Sequence, residues 1–306
     1  MQQTQAGITA LVTAYARAYH ATHDSPKIFD DFLADQLYTP EEHSSFDHNL
    51  AEMVGTLESI APDVVASKPD PATALAAVIQ FIHGPVTLSR SRYTEDCLVD
   101  AIAQGVRQYV ILGAGFDTFA FRQSDLLEKL EVFEVDHPVT QAMKRQRIGM
   151  AGWEIPTKLH FVPVDFNSEK VADALLRSSF DPRAQSFFSW LGVTYYLARE
   201  VVFDTLKAIA DITAQGSTVV FDYMDTDAFI PEKAAKRIQL MQAGARRVGE
   251  PMQTGFDPAV LADDLRHAGL TLEENLSPMA IEERYFRDRT DRYHAYEHVH
   301  FARVQK

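Results

Sequence analysis

Two short runs of residues have the types and spacing to do chemistry. The first, at 110–118, is an apolar stretch that ends in a Gly-x-Gly turn at 113–115, and the second, at 132–138, reaches an acid at Asp136. An apolar run before Gly-x-Gly is typical of a parallel strand that turns sharply into a helix. An acid at the end of the next strand can accept hydrogen bonds from vicinal ribose hydroxyls. The two runs therefore predict a crevice for a nucleoside-containing cofactor.

The position after the glycines distinguishes between classes of cofactor. The dinucleotide fingerprint Gly-x-Gly-x-x-Gly places a third glycine where the helix packs closely on the strand and receives a pyrophosphate. Here that position is Thr118. A cofactor without phosphates does not need the full fingerprint, and S-adenosylmethionine is one. The spacing favours S-adenosylmethionine and leaves a nicotinamide-dependent oxidoreductase as an alternative, although the chain lacks a Tyr-x-x-x-Lys catalytic pair.

Acids and an aromatic near the strand ends are candidates to bind the nucleoside. Asp136 has a second interpretation, because it can also cap the helix expected after Pro138. Asp165 and Phe166 follow the third predicted strand, where an adenine ring would lie if the ribose is bound at Asp136. An aspartate can accept a hydrogen bond from the adenine amine, and an aromatic side chain can pack on the ring. The alternative is that Asp165 caps a turn.

Arginines are the candidates to bind a ligand carboxylate, such as that of the methionine part of S-adenosylmethionine. Arg90 and Arg92 lie where the helical N-terminal segment meets the predicted sheet, and Arg17 lies on the first helix. A guanidinium can donate two parallel hydrogen bonds to a carboxylate. Most arginines lie on the protein surface without a ligand, and this remains the alternative for each of the three arginines.

The fourth predicted strand continues into an apolar and aromatic segment, 187–197, that suits a dry pocket for methyl transfer but also suits core packing. Tyr195 in this segment and Tyr223 in the fifth strand are the candidates to face a substrate. The sequence does not identify a residue that acts as a catalytic base. Neither a Gly-x-Ser-x-Gly elbow nor a Walker sequence is present, so hydrolase and kinase activities have no support.

Composition narrows the class of partner. The 306-residue chain is 46% apolar with a formal net charge of −14, so it can build a large core but is poorly suited to nucleic acid. Cys97 is the only cysteine, which excludes an intrachain disulfide and a Cys-type zinc site, and no histidine pattern predicts another metal. Without about 18 consecutive apolar residues or a signal peptide, a cytoplasmic protein that does not span a membrane is expected. The oligomeric state is not predicted.

Helical and strand patterns alternate along most of the chain, which predicts a parallel sheet with helices on both faces. The first ninety residues are helical, with helices expected at 4–22, 29–38, 41–61 and 71–88. Strands are expected at 109–112, 131–135, 160–164, 186–191, 217–223, 270–276 and 298–304. Further helices are expected at 92–104, 117–128, 138–150, 168–177, 198–214 and 257–268.

This order predicts an N-terminal helical cover over residues 1–90 and a sheet domain over residues 91–306. An insertion at 224–256 has a helical core between Pro231 and Val248. Because it follows the carboxyl end of the fifth strand, where ligands of open α/β sheets bind, it is a candidate lid. An ordinary crossover helix with a long loop is the alternative.

The chain resembles the leucine carboxyl methyltransferase-like family of S-adenosylmethionine-dependent methyltransferases, and in particular its bacterial branch. The resemblance spans most of the chain from the first helix onward. It rests on residues 112–122 and 133–138, Val164-Asp165-Phe166, Tyr196-Leu197, Arg90-Ser91-Arg92, Arg284-Tyr285-Phe286 and Arg289-Thr290-Asp291.

The resemblance implies a Rossmann-like class I methyltransferase: a seven-stranded, mostly parallel sheet with an antiparallel last strand, a helical cover and a helical lid. It also implies the cofactor-binding residues: Arg90 for the carboxylate, Gly113 with Ala114 and Gly115 for the methionine part, Asp136 for the ribose, and Asp165 with Phe166 for the adenine. One departure is Leu191, where the family often has glutamate.

The resulting hypothesis is methyl transfer from S-adenosylmethionine to an oxygen of a small-molecule acceptor, either a carboxylate or a hydroxyl. A hydroxyl needs a general base whereas a carboxylate needs none, so the missing base slightly favours a carboxylate. Leu191 weakens the analogy with a protein-tail substrate. Protein carboxyl methylation and, less favoured, nicotinamide-dependent oxidation remain the alternatives.

Overall fold

A computed structural model describes residues 5–65, 68–166 and 169–306. Seven strands form its central sheet: β1 Gln108–Leu112, β2 Glu131–Asp136, β3 Leu159–Pro163, β4 Ser186–Trp190, β5 Thr218–Met224, β6 Thr271–Leu276 and β7 Val299–Gln305. Their order is β3-β2-β1-β4-β5-β7-β6. The first five strands pair in parallel, and β7 runs antiparallel to both neighbours. The predicted mostly parallel sheet with an antiparallel last strand is confirmed, with every strand in its expected place.

Burial explains why the strands were recognisable. Every residue of β1, β4 and β5 is buried, as expected for parallel strands covered by helices on both faces. Their sequences are therefore mostly apolar or aromatic rather than alternating; the polar exceptions are Gln108, Ser186, Ser189, Thr218 and Asp222. In β6, at the edge of the sheet, exposed residues alternate with more buried ones. The centre of the sheet and its edge thus differ in pattern for a physical reason.

Thirteen α-helices among the described residues surround the sheet. They are α1 Gln5–His23, α2 Pro40–Glu52, α3 Val54–Ile60, α4 Pro71–Val78, α5 Gly84–Ala103, α6 Phe119–Arg122, α7 Ser124–Leu127, α8 Pro138–Met150, α9 Val171–Leu176, α10 Arg199–Ile212, α11 Lys236–Arg247, α12 Leu261–His267 and α13 Pro278–Ile281. One face of the sheet packs against α5 and α11, and the other packs against α9, α10 and α12.

Several predicted helices are wrong in extent. The segment 29–38 contains a 3₁₀ turn at Ala34–Leu37, and the helix expected at 41–61 divides at Met53. The helix expected at 117–128 is the short pair α6 and α7, and the predicted start at 168 lies outside the described residues. Asp257 caps a turn, accepting from Ala259 N at 2.9 Å, so α12 begins four residues later than expected.

The helices expected at 71–88 and 92–104 are one continuous run. α4 and α5 are joined by a π-helical turn, Ile79–His83, so the helix crosses residue 90, where the sequence predicts the end of the cover. Asp70 caps the start of the run, accepting from Ala72 N and Thr73 N. The run Pro71–Ala103 is long and apolar enough to cross a membrane, but 67% of its apolar window is buried inside the protein, as in a core helix.

The insertion at 224–256 packs over the carboxyl ends of the strands. It leaves β5 at Met224 and returns beside it, because Phe256 N donates to Met224 O at 2.9 Å. Its helical core is α11, which buries Ile238 and Ala245 in the core of the protein. The loop after α11 donates from Gln253 N to Tyr195 O at 2.8 Å. The insertion therefore closes against the segment that follows β4.

A buried ion pair joins β2 to α8. Lys144 Nζ contacts Glu134 Oε2 at 2.5 Å, and both side chains are almost fully buried. Glu134 Oε1 is also buried and has no hydrogen-bond partner among the described residues. Burial raises the pKa of Glu134 to about 7, against the opposing effect of the Lys144 ammonium. The stability of this part of the sheet therefore depends on Lys144.

Replacement of Lys144 tests this dependence. Lys144→Met should destabilise the fold by about 3–5 kcal/mol, because it leaves Glu134 as an uncompensated buried charge. The loss should be smaller at pH 5 than at pH 8. Burial raises the pKa of Glu134 above its unfolded value, so the folded variant takes up a proton as the pH falls and regains stability. Urea unfolding at both pH values measures this.

The double variant Glu134→Gln/Lys144→Met is the control. It removes the buried charge, so most of the lost stability should return and the difference between pH 5 and pH 8 should shrink. A double variant as unstable and as pH-dependent as Lys144→Met would show that the ion pair is not the cause.

Candidate active site

Two glycine turns flank the point where the strand order reverses. β2 and β3 lie on one side of β1, and β4 lies on its other side. Ligands of open α/β sheets bind at the carboxyl ends of the strands at such a point. Gly113 follows β1 with φ +69° and Gly192 follows β4 with φ +73°, which L side chains rarely adopt. A Cβ on Gly113 would lie 2.9 Å from Val193 Cγ2. The two turns therefore meet at the predicted crevice.

Asp136, the last residue of β2, joins that strand to the first glycine turn. Its Oδ2 accepts from Gly115 N at 2.5 Å and its Oδ1 accepts from His137 N at 2.6 Å. Burial raises the pKa of this carboxyl, while the two N–H groups oppose that shift. A carboxylate has about four lone-pair positions, so capacity for ribose hydroxyls remains. His137, not Asp136, caps α8, accepting from Val139 N at 3.3 Å.

Residues 165 and 166 lie just beyond the point where the third strand meets Asp136. Val164 N donates to the main-chain oxygen of Asp136 at 2.8 Å, and the main-chain oxygen of Asp165 accepts from Glu169 N at 2.9 Å. Phe166 is partly buried and packs against the apolar core. The fold thus brings the two adenine candidates next to the ribose candidate.

Arg90 reaches the crevice from α5. Its Nη1 donates to Asp222 Oδ2 at 3.0 Å and to Tyr195 Oη at 3.3 Å. A Cβ on Gly192 would lie 2.6 Å from Arg90 Nη2, so the guanidinium lies directly against the glycine turn. Burial alone would lower the pKa of Arg90, but Asp222 and Tyr195 outweigh it and raise the pKa. The site therefore keeps a permanent cation beside the turn after β4.

Asp222 is a site residue that sequence reasoning missed. It is fully buried in β5, and its Oδ1 accepts from Gly192 N at 2.6 Å while its Oδ2 accepts from Arg90. An acid inside an otherwise apolar strand was the available signal, because buried carboxylates are paired or functional. Asp222 thus sets the positions of both Arg90 and the second glycine turn.

The two tyrosine candidates lie on opposite faces of the sheet. Tyr195 is with Arg90 in the site, and burial raises its pKa to about 12. Tyr223 follows Asp222 in the strand and so points to the other face. It is fully buried, donates to Asn275 Oδ1 at 3.0 Å and stacks on His300. Its surroundings are those of a core residue, and the fold does not bring it to the other site candidates.

Arg92 and Leu191, both singled out by sequence, differ in their relation to the site. Arg92 is half exposed on α5 and its Nε donates to Asp96 Oδ1 at 2.8 Å. Leu191, where the family often has glutamate, is partly buried against the apolar core. Leu191 directly precedes Gly192 and so borders the second glycine turn, whereas Arg92 pairs with Asp96 on its own helix.

Asp31 anchors the first helix to the first glycine turn. Its Oδ2 accepts from Arg17 Nε at 2.8 Å and its Oδ1 accepts from Thr118 Oγ1 at 2.6 Å. Arg17 Nη2 also donates to the Phe116 main-chain oxygen at 2.8 Å. Thr118, which replaces the third glycine of the dinucleotide fingerprint, therefore holds the helical cover in place. Sequence reasoning missed Asp31 because its partners are distant in the chain.

A surface cavity of about 340 Å³ lies elsewhere, between α7 and the segment before β3, and is lined by residues such as Leu127, Pro156 and Lys158. These residues precede β2 and β3, so this cavity is at the amino ends of the strands. Ligands of such sheets bind at the carboxyl ends. The crevice between the glycine turns remains the candidate active site.

The residues of the crevice fit S-adenosylmethionine. Asp136 is an acceptor for a ribose diol, and Arg90 is a permanent cation for the carboxylate of an amino acid. Both glycine turns bring backbone, without side chains, to the space between them. Residues 165 and 166 complete the set on the adenine side.

Comparisons with known proteins point to one family. The family model for leucine carboxyl methyltransferase matches residues 10–210. The Bacillus subtilis protein named "Putative S-adenosyl-L-methionine-dependent methyltransferase YktD" is 37% identical over 306 residues, which is 100% of both chains. A Saccharopolyspora erythraea protein of the same description is 30% identical over 216 residues, 71% of this chain and 67% of its own.

A solved structure supports the fold. The chain matches a DUF574 family protein from Streptomyces avermitilis with a TM-score of 0.55 and 13% identity, over 96% of both chains. At this identity the likeness concerns the fold alone. The cofactor follows from the relatives: it is S-adenosylmethionine.

Loss of the Asp136 charge tests the ribose assignment. Asp136→Asn should weaken binding of S-adenosylhomocysteine at least about tenfold, because hydrogen bonds to a charged group contribute roughly 1.5–3 kcal/mol. Isothermal titration calorimetry measures the affinity. Glu131→Gln, at the amino end of the same strand, is the matched control and should bind normally. Unchanged affinity in Asp136→Asn would remove this residue from the site.

Loss of the Thr118 hydroxyl tests whether the cover supports the cofactor turn. Thr118→Val should cost about 1–3 kcal/mol of stability, since the buried Asp31 carboxylate loses a donor. It should also weaken S-adenosylhomocysteine binding several-fold, because the turn is less firmly held. Thr205→Val removes an exposed hydroxyl that bonds only within α10 and should change neither property. Reduced stability with normal affinity would mean that the contact is structural only.

Proposed function

The chain belongs to the leucine carboxyl methyltransferase family and is an S-adenosylmethionine-dependent methyltransferase, and we propose that its acceptor is a carboxylate oxygen of a small molecule. When bound, the cofactor supplies a methyl group on a positively charged sulfur, which is already electrophilic. The residues of the chain then have to hold the acceptor oxygen in line at roughly 3 Å and exclude water.

The proposal rests on the chemical groups around Arg90. The guanidinium is a permanent cation, and the Tyr195 phenol stays protonated near neutral pH because burial raises its pKa to about 12. Asp222 already accepts hydrogen bonds on both oxygens. Among the described residues, the hydrogen-bond partners of this guanidinium are thus a protonated phenol and a buried carboxylate that is paired with Arg90 and with the Gly192 N–H. Such surroundings favour an acceptor that is already an anion.

The position of the insertion at 224–256 supports a small acceptor. Its loop bonds to the segment that holds Tyr195, and Glu250 Oε2 accepts from Thr9 Oγ1 on α1 at 3.0 Å. The insertion and the first helix thus meet above the crevice. Leu191 leaves this side of the site without the glutamate common in the family. A covered crevice suits a small molecule better than the end of a protein chain.

The acceptor class is tested with a panel of small carboxylic acids and phenols. S-adenosylhomocysteine release should occur with carboxylic acids, and a labelled methyl group should leave the product as methanol in mild base, because esters hydrolyse and aryl ethers do not. Base-stable products from phenols would contradict a carboxylate acceptor. Label in added protein rather than in the small acids would favour protein carboxyl methylation instead.

A matched pair of tyrosine variants tests the site. Tyr195→Phe should lower kcat/KM about tenfold, because one hydrogen-bond donor of roughly 1.4 kcal/mol is lost beside Arg90. Tyr223→Phe removes the same group from the opposite face of the sheet and should leave kcat/KM unchanged. The reverse pattern, with activity sensitive to Tyr223 and not to Tyr195, would place the acceptor on the other face.

A further inference from the structure

A second cavity, outside the crevice, gathers basic side chains. It measures about 300 Å³ and is lined by Lys27, Ile28, Arg92, Asp96, Arg284 and Tyr285. These residues come from the loop after α1, from α5 and from the turn after α13. Arg92 is two positions beyond Arg90, about 200° around the helix, so the cavity and the crevice lie on different sides of α5.

The cavity is cationic although the chain is acidic. Three of its lining residues are basic and one is acidic, against a formal net charge of −14 for the chain. Each cation has an acidic neighbour, but each contact uses only part of the donor group. Arg92 pairs through Nε with Asp96, and Arg284 pairs through Nη1 with Glu274 at 3.3 Å. In the described residues, the terminal nitrogens of Arg92 have no hydrogen-bond partner.

Lys27 adds a third donor from another direction. Its Nζ donates to Asp30 Oδ1 at 2.9 Å and to the Ala21 main-chain oxygen at 2.5 Å. The Asp30 side chain is itself exposed, so this pair lies at the mouth of the cavity. An ammonium group at the mouth and guanidinium groups on the other walls can approach one ligand from several sides.

Tyr285 also lines the cavity, but not with its hydroxyl group. Its oxygen is buried and has no hydrogen-bond partner among the described residues. Burial raises the pKa of this phenol, so it remains a donor. The side chain belongs to a π-helical turn, Glu282–Phe286, a geometry that often occurs at functional sites. Because this oxygen is closed off from solvent, the groups that the cavity offers to a ligand are its basic side chains.

We propose that this cavity binds a phosphate group, as the free ion or as a small phosphate monoester. Arginine and lysine are the side chains that recognise phosphate. Donors from three separate elements suit a tetrahedral group with several equivalent oxygens better than a planar carboxylate. The volume is at the lower end of small-molecule pockets, which excludes a large ligand. The lining of this cavity includes neither Arg90 nor Asp136 of the crevice.

The test measures phosphate binding by the full chain at constant ionic strength. Inorganic phosphate and glycerol 3-phosphate are the two probes, used separately. Calorimetry gives the affinity for each probe, and thermal unfolding gives the stabilisation that each probe produces. Arg92→Gln/Arg284→Gln should weaken binding of the better probe by at least about tenfold. Whichever probe binds more tightly to the wild type identifies the free ion or the monoester as the source of the phosphate.

Arg183→Gln is the matched control, because Arg183 is an exposed arginine that pairs with a single aspartate. It should bind both probes like the wild type. Failure of the wild type to bind either probe would overturn the proposal. Equal binding by the wild type and the double variant would also overturn it, since the phosphate would then be held elsewhere, including in the crevice.

Discussion

The carboxylate of Asp136 is the contact on which the cofactor crevice depends. By accepting from Gly115 N and His137 N, it fixes the end of β2 to the turn after β1 and to the start of α8. Each of these N–H groups is backbone, so their positions follow from the strand order and not from side-chain choice. We propose that this carboxylate serves the fold and the ligand with the same atoms. Its loss affects both, which is why affinity and stability have to be measured separately.

Two buried acids extend this arrangement to the rest of the molecule. Asp31 connects the first helix to the first glycine turn through Arg17 and Thr118, and Asp222 connects α5 to the second turn through Arg90 and Gly192. In both cases a buried carboxylate pairs with an arginine from the helical cover and with a group of a glycine turn. Removal of one partner leaves a buried charge, so the pairing specifies where the cover docks. The helical cover is thereby part of the active site.

Local sequence patterns predicted the sheet because its central strands are buried on both faces and are therefore mostly apolar. They predicted the glycine turns and the acid at Asp136 because turns and strand ends have recognisable sequences. Arg90 was one of three candidate arginines, and only the family resemblance singled it out. The ends of helices were harder to predict from sequence. The run Pro71–Ala103 continues through a proline and a π-helical turn because its burial in the protein outweighs the local tendency of these residues to end a helix. Asp31, Asp222 and the opposite orientations of Tyr195 and Tyr223 required the three-dimensional fold, since their partners are far apart in the chain.

The most direct test of the account is a crystal structure of the protein with S-adenosylhomocysteine bound. We predict that the ribose hydroxyls lie within hydrogen-bond distance of the Asp136 carboxylate, that the carboxylate of the ligand contacts Arg90, and that the sulfur faces the space beside Tyr195. A nucleoside bound on the Tyr223 face of the sheet, or a ribose held without Asp136, would contradict the proposed site.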